Sequence, residues 1–231
     1  MTGQEGAGMS TDPREWRPLE AKTTGRKPEI KDPIIEPLWQ GTRVLAHFHA
    51  TPDGPRPGIV ELRDADGFDV SNEFAEIAQA LEGAVTAQDA VIDGILTDQA
   101  MAGSEGVGVV PEAEISPVGM LLGRSAEVTV APSRDRERGY EVSFVALDLL
   151  AVDGETLFDL PLLERKRQLD GLLVENDRAR VSPFARPPLA QWLNSWKSAG
   201  FRGVVMKAAN SRYRPADVLR EWAIVERVSN R

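Results

Sequence analysis

An α+β domain is the fold class the sequence predicts, on two observations. Short apolar runs closed by turn signals recur along the chain, and three longer segments carry helical spacing. The strand candidates are Ile34-Ile35, Val44 to Phe48, Gly58 to Leu62, Ala90 to Leu96, Val142 to Leu150, Val204 to Lys207 and Trp222 to Val228. Pro52-Asp53-Gly54-Pro55 and Asp66-Gly67 supply turns between them. Phe74, Ile77, Ala78 and Leu81 fall on one helical face. Pro161 suits the first position of a helix running to about Leu173. A third helix, Leu189 to Ala199, is closed by Gly200.

Composition bounds the function. The chain has 231 residues, enough for one domain with a substantial core, and a 42% hydrophobic share. Its net charge of -9 argues against a DNA clamp, because such domains recruit phosphates with a basic footprint; DNA binding is expected to be weak or absent. It has no cysteine, which excludes disulfides, thiolate metal sites and cysteine nucleophiles. No apolar run approaches the roughly 20 residues of a membrane span, and the N-terminus lacks the apolar core of a secretory signal. A cytoplasmic location is the expectation.

The most informative stretch is Glu36-Pro37-Leu38-Trp39-Gln40-Gly41-Thr42-Arg43. It resembles the nucleotide-binding signature of ATP-dependent DNA ligases, Glu-Pro-Lys-Trp-Asp-Gly-x-Arg. Leu38 stands where that family has its nucleophilic lysine, and Gln40 where it has aspartate. Further echoes follow in family order. Leu62-Arg63-Asp64-Ala65-Asp66-Gly67 resembles the Ser-Arg-x-Gly-x-Asp turn, and Ile92-Asp93-Gly94-Ile95 resembles Leu-Asp-Gly-Glu with isoleucine for glutamate. Leu147-Asp148-Leu149-Leu150 resembles Phe-Asp-Leu-Leu, and Leu160-Pro161-Leu162-Leu163-Glu164-Arg165-Lys166 resembles Leu-Pro-Leu-x-Glu-Arg-Arg. Arg202-Gly203-Val204-Val205-Met206-Lys207 resembles Glu-Gly-Val-Val-x-Lys, with Ser211, Tyr213 and Pro215 at family spacing behind it. Trp222-Ala223-Ile224-Val225-Glu226 resembles Trp-x-Lys-x-Lys.

The resemblance implies an ATP-grasp-like nucleotidyltransferase domain of antiparallel sheets with flanking helices, an adenylation domain over 29–231. Residues 1–28, rich in Gly, Thr, Pro and charge with little periodicity, read as a flexible arm. The family's oligonucleotide-binding (OB) domain normally follows the last motif; no C-terminal OB domain is expected here, because the sequence stops at Arg231. Trp16 and Leu19 are the arm residues suited to local docking. The family reaction is ligation driven by ATP and magnesium. It needs a nucleophile, carboxylates for metal and cations for phosphate. Here the catalytic positions Leu38, Gln40, Ile95, Ile224 and Glu226 are all degenerate, Arg202 replaces a glutamate, and Leu147 replaces the aromatic expected on adenine. Glu36, Arg43, Arg63 and Lys207 match nucleotide-contacting positions as vestiges, with a structural ion pair the blander reading for Arg43 and Lys207. The expected function is therefore a catalytically inactive pseudoenzyme with a binding or assembly role, in DNA repair, working through a protein partner. The alternatives are an active ligase using a displaced lysine such as Lys31, and a sensor that binds ATP without reacting.

Other features read blandly. His47 and His49 share a strand face but lack further metal ligands. The glycines at 103, 106 and 108 lack the Gly-Lys-Ser/Thr of a phosphate loop and read as a linker. Arg134, Arg136 and Arg138 alternate with acids in a solvated loop.

Overall fold

The computed structural model describes residues 10–23, 29–51, 53, 57–99 and 142–227. The glycine-rich stretch and the Arg134–Arg138 loop lie outside them.

Among the described residues, ten strands form two sheets. The smaller has the order β1 (Glu20–Thr23), β10 (Val218–Val225), β9 (Val204–Ala208), β2 (Pro33–Pro37). The larger runs β4 (Gly58–Asp64), β3 (Thr42–Ala50), β5 (Asp89–Thr97), β6 (Ser143–Val152), β7 (Glu155–Thr156), with β8 (Ala179–Val181) also paired to β6. The ladders are antiparallel except β1 with β10 and β6 with β8.

Alternation along the strands explains the layering. On β3, Val44, Ala46 and Phe48 point into a core shared with helix α1 (Ala75–Glu82) and the apolar stripe of α2 (Leu162–Leu172). Leu45, between them, points the other way, into the space between the sheets, where it meets Ile34, Leu150, Tyr213 and Trp222. On β2, Ile34 faces that inter-sheet core while Ile35 faces helix α3 (Leu189–Ser198) through Leu189 and Leu193. Strands buried on both faces read as continuous apolar runs, which is why β5 and β6 stand out in the sequence.

Residues 10–23, within the predicted arm, carry structure of their own. Residues 13–15 form a 3-10 turn, and β1 extends the smaller sheet by pairing parallel with β10. Trp16 and Leu19 are buried between the sheets, Trp16 packing edge-on against Phe158 with centroids 4.6 Å apart. The Leu19 amide donates to the Tyr213 hydroxyl at 2.8 Å, and that hydroxyl donates to Asp93 at 2.6 Å. This chain of bonds fastens the arm to the middle of β5. The same pairing lengthens β10 at its start, so the strand runs Val218–Val225 and ends earlier than the predicted Val228.

The two histidines separate. His49 is exposed and bonds Asp89 on the neighbouring strand. His47 is half-buried, and its Nε2 is buried with no hydrogen-bond partner among the described residues. Burial pushes its pKa down to about 4, with Glu61 and Asp12 opposing and Arg63 and Arg14 assisting. A histidine held neutral in the fold takes up its proton more readily when unfolded. Stability is therefore full above about pH 6.5 and falls between there and about pH 4, by about 2 kcal/mol in all after allowance for partial solvent access. His47→Gln is expected to flatten that segment of the profile. Urea midpoints measured near pH 7.5 and about pH 4.5 check this, and an unchanged slope in the variant would refute it.

Candidate functional site: a cleft between the two sheets

Where β2 ends and β3 begins, the chain turns at the edge of a cavity of about 560 Å³. The turn is fixed by backbone bonds: the Leu38 amide donates to Gly203 O at 3.0 Å, and the Gln40 amide to Gln99 Oε1 at 2.7 Å. Gly41 has φ +152°, and a Cβ there would sit 1.9 Å from the Leu96 carbonyl oxygen, so no larger residue fits. Trp39 packs edge-on against Phe201 and donates from Nε1 to Ser182.

The cavity brings together most of the residues singled out in the sequence. Leu38, Ile95, Leu147 and Ile224 all line it, from four different strands or strand ends, with Glu36, Arg43 and Lys207. Its rim is formed by the arm, Arg17 to Ala21, and by Ala216 and Val218. Lys31 is exposed ahead of β2 and is not part of the lining.

Three predicted positions fall elsewhere. Gln40 is half-buried beyond the cavity, its backbone held by Gln99. Arg63 is not brought to the cleft. It reaches along β4 to Glu61 in an ion pair and donates to Gly67 O at 2.8 Å, so it braces its own turn. Glu226 does not face the cleft where phosphates would sit. β10 ends at Val225, and Glu226 turns to the surface to pair with Arg202 at 2.7 Å. The two departures from the ligase pattern at these positions, arginine for glutamate and glutamate for lysine, therefore pair with each other at the surface. Each looks like lost chemistry when read alone along the sequence.

The charged residues in the cleft are tied to one another. Glu36 is buried between two ammonium groups, Lys207 Nζ at 2.6 Å and Lys166 Nζ at 2.8 Å. Burial alone would raise the Glu36 pKa, but the two lysines outweigh it and hold the carboxyl below its usual range. Lys207 is held below the usual lysine range by burial, with Lys166 and Arg43 adding to the effect and Glu36 opposing it. Its ammonium also lies 4.4 Å from the centroid of the Trp222 ring. Lys166 donates to Leu147 O at 3.0 Å. Arg43 grips the fully buried Asp93 with Nε and Nη2, and Asp93 outweighs burial to hold the guanidinium firmly charged.

Sequence reasoning missed Lys166. The signal was present: Lys166 and Arg165 share the helical stripe of Leu162, Leu169 and Leu172, and charges on a core-facing stripe must have buried partners. Arg165 finds Asp148, through two bonds of 2.8 and 2.9 Å, and Lys166 finds Glu36. Asp148 and Asp153 act as local hydrogen-bond groups, Asp153 accepting from the amides of Gln88 and Asp89.

The donor set does not fit a divalent metal. Glu36 and Asp93 are both engaged by cations, Ile95 is apolar, and only Glu20 remains as a carboxylate at the rim. No group of three metal-ligating side chains occurs among the described residues.

Two stacked sheets enclosing this cleft, with the turn after β2 at its edge, define an adenylation-type nucleotidyltransferase domain. Residues 22–224 match the profile of the ATP dependent DNA ligase domain, and the chain belongs to that family. A DNA ligase of Pyrobaculum arsenaticum is 25% identical over 185 residues, 78% of this chain and 28% of the relative. The multifunctional non-homologous end joining DNA repair protein LigD of Mycobacterium tuberculosis is 26% identical over 193 residues, 81% of this chain and 21% of that protein. The chain thus spans about a quarter of the length of the curated relatives it matches. Among solved structures, the ligase domain of M. tuberculosis LigD superposes with a TM-score of 0.62 at 23% identity, covering 92% of this chain and 60% of that one. Mycobacterial DNA ligase D complexed with ATP and MES gives 0.63 at 22% identity, with the same coverage. These likenesses establish the fold. No helix among the described residues is long and apolar enough to cross a membrane.

Proposed function

We propose that this chain is a catalytically inactive ligase-like adenylation domain with a binding or assembly role. Leu38 in the wall of the cleft carries the reading. A nucleotidyl transfer that goes through a covalent intermediate needs an attacking atom with a lone pair, and an alkyl side chain has none. Among the described residues no other lysine stands in for it. Lys207 is the only lysine in the cavity lining among the described residues, and its ammonium is clamped by Glu36. Lys166 is clamped by the same carboxylate, and Lys31 lies outside the cleft. The mycobacterial relative, a non-homologous end joining DNA repair protein, motivates a place beside end-joining DNA repair, through a protein partner rather than direct DNA contact, in keeping with a net charge of -9.

The test is direct. Incubated with ATP and magnesium and weighed intact, the protein is expected to show no added AMP. A stable gain of one AMP, mapped to any lysine, would overturn the reading.

A further inference from the structure

From the unengaged donors in a largely apolar cleft, we infer that the cavity binds a carbon-rich small molecule carrying a single negative charge, and that it discriminates against nucleoside triphosphates. The inference rests on the non-catalytic reading above and specifies what the same cleft now holds.

Charge balance sets the ligand's charge. The charged groups at the cleft are two buried carboxylates, Glu36 and Asp93, and three cations, the buried Lys166 and Lys207 and the half-buried Arg43. One positive charge is left over, while Arg17 and Glu20 offset one another at the rim. A triphosphate brings several negative charges and would face one uncompensated cation, with the remaining ones already held by their own carboxylates. A monoanion is matched.

Donor geometry sets where its head group goes. Arg43 uses Nε and Nη2 on Asp93, and Lys207 uses one hydrogen on Glu36. Arg43 Nη1 has no hydrogen-bond acceptor among the described residues, Lys207 has none beyond Glu36 while its ammonium also faces the Trp222 ring, and both side chains line the cavity. A carboxylate or sulfonate accepts from such donors. The rest of the wall sets the body of the ligand. Leu38, Ile95, Leu147 and Ile224 present only carbon, and a cavity of about 560 Å³ is the size of a small-molecule site. Those four side chains offer no partner to the hydroxyls of a sugar; Arg17 and Glu20, the polar side chains of the arm, lie apart from them at the rim.

Anilinonaphthalene sulfonate, a fused-ring monoanion, is the probe. Titrated into the full chain, it is expected to bind saturably with one site per chain. Naphthoate should displace it, and ATP at a tenfold higher concentration should not. Leu38 is half-buried, so both signs of charge are testable there. Leu38→Glu is expected to weaken probe binding at least tenfold, and Leu38→Lys to leave it as tight or tighter. Ile224→Glu, also at a half-buried position, repeats the test should Leu38→Glu fail to fold. Absence of saturable binding, equal weakening by both signs of charge at position 38, or displacement by ATP as effective as by naphthoate would each overturn the inference. None of these results adds AMP to the protein, so the non-catalytic reading stands or falls separately on the intact mass.

Discussion

Glu36→Ala is expected to cost about 3–5 kcal/mol of stability near neutral pH, the range typical of removing one member of a buried charge cluster. Two ammonium groups meet at this carboxylate, and both are almost fully buried. Taking it away leaves like charges facing each other without water to screen them. The consequence has a pH signature. With Glu36 gone, burial and Lys166 act on Lys207 without opposition, so it sheds its proton more easily and the defect shrinks as pH rises from neutral. In the parent protein the sign runs the other way at low pH. The Glu36 pKa is depressed in the fold, so its contribution is full above the ordinary carboxylate range and is lost as pH falls through the folded value. Replacing all three residues together, Glu36→Leu with Lys166→Met and Lys207→Met, is expected to recover most of the loss, because apolar residues of similar volume need no compensation. Urea unfolding of the single and triple variants at two pH values measures all of this. A loss under about 1 kcal/mol for Glu36→Ala would show that water or a rearranged side chain serves the lysines instead.

Why the cleft's wall was legible in the sequence and its charges were not follows from how each is encoded. Leu38, Ile95 and Ile224 sit in short motifs whose glycines and tryptophans hold the register, so their place could be read from order alone. Buried strands such as β5 and β6 announce themselves by long, mostly apolar runs, each interrupted by one aspartate, Asp93 and Asp148. Pairing between distant segments leaves no such mark. Glu36, Lys166 and Lys207 come from three separate elements, and nothing local to any one of them names the others. The strand Glu20–Thr23 is polar and mostly exposed, with only its register against β10 to make it a strand. That is why it read as part of a free arm, although Trp16 and Leu19 just ahead of it carried the apolar signal. Glu226 failed for a related reason. Alternation along β10 places it on the face of Trp222 and Ile224 only if the strand continues, and the pull of Arg202 begins where the strand stops.

Leu38→Lys alone is expected to restore no measurable AMP transfer. The new amine enters a cleft where Ile95 supplies no carboxylate, Ile224 supplies no cation, and Lys207 and Arg43 are already bound to Glu36 and Asp93. A triphosphate there would be poorly neutralised, and each missing stabiliser of a developing charge typically costs about 2.7–4 kcal/mol of barrier. Restoration must therefore be collective. Adding Ile95→Glu and Ile224→Lys is expected to raise the yield of protein–AMP far more than the separate changes would, since groups that act as a unit are strongly non-additive. Glu226 needs different handling. Glu226→Lys by itself would set a cation against Arg202, whose partner it is now, and lower stability without serving the cleft. Made together with Arg202→Glu, it re-forms the pair in the opposite sense and is expected to be neutral for stability, with any gain in transfer appearing only on the Leu38→Lys background. Intact mass after incubation with ATP and magnesium reads the covalent product, and thermal melting reads the pair swap. Robust transfer by Leu38→Lys alone would show that the remaining groups suffice and that one residue, rather than a site, separates this chain from an active ligase domain.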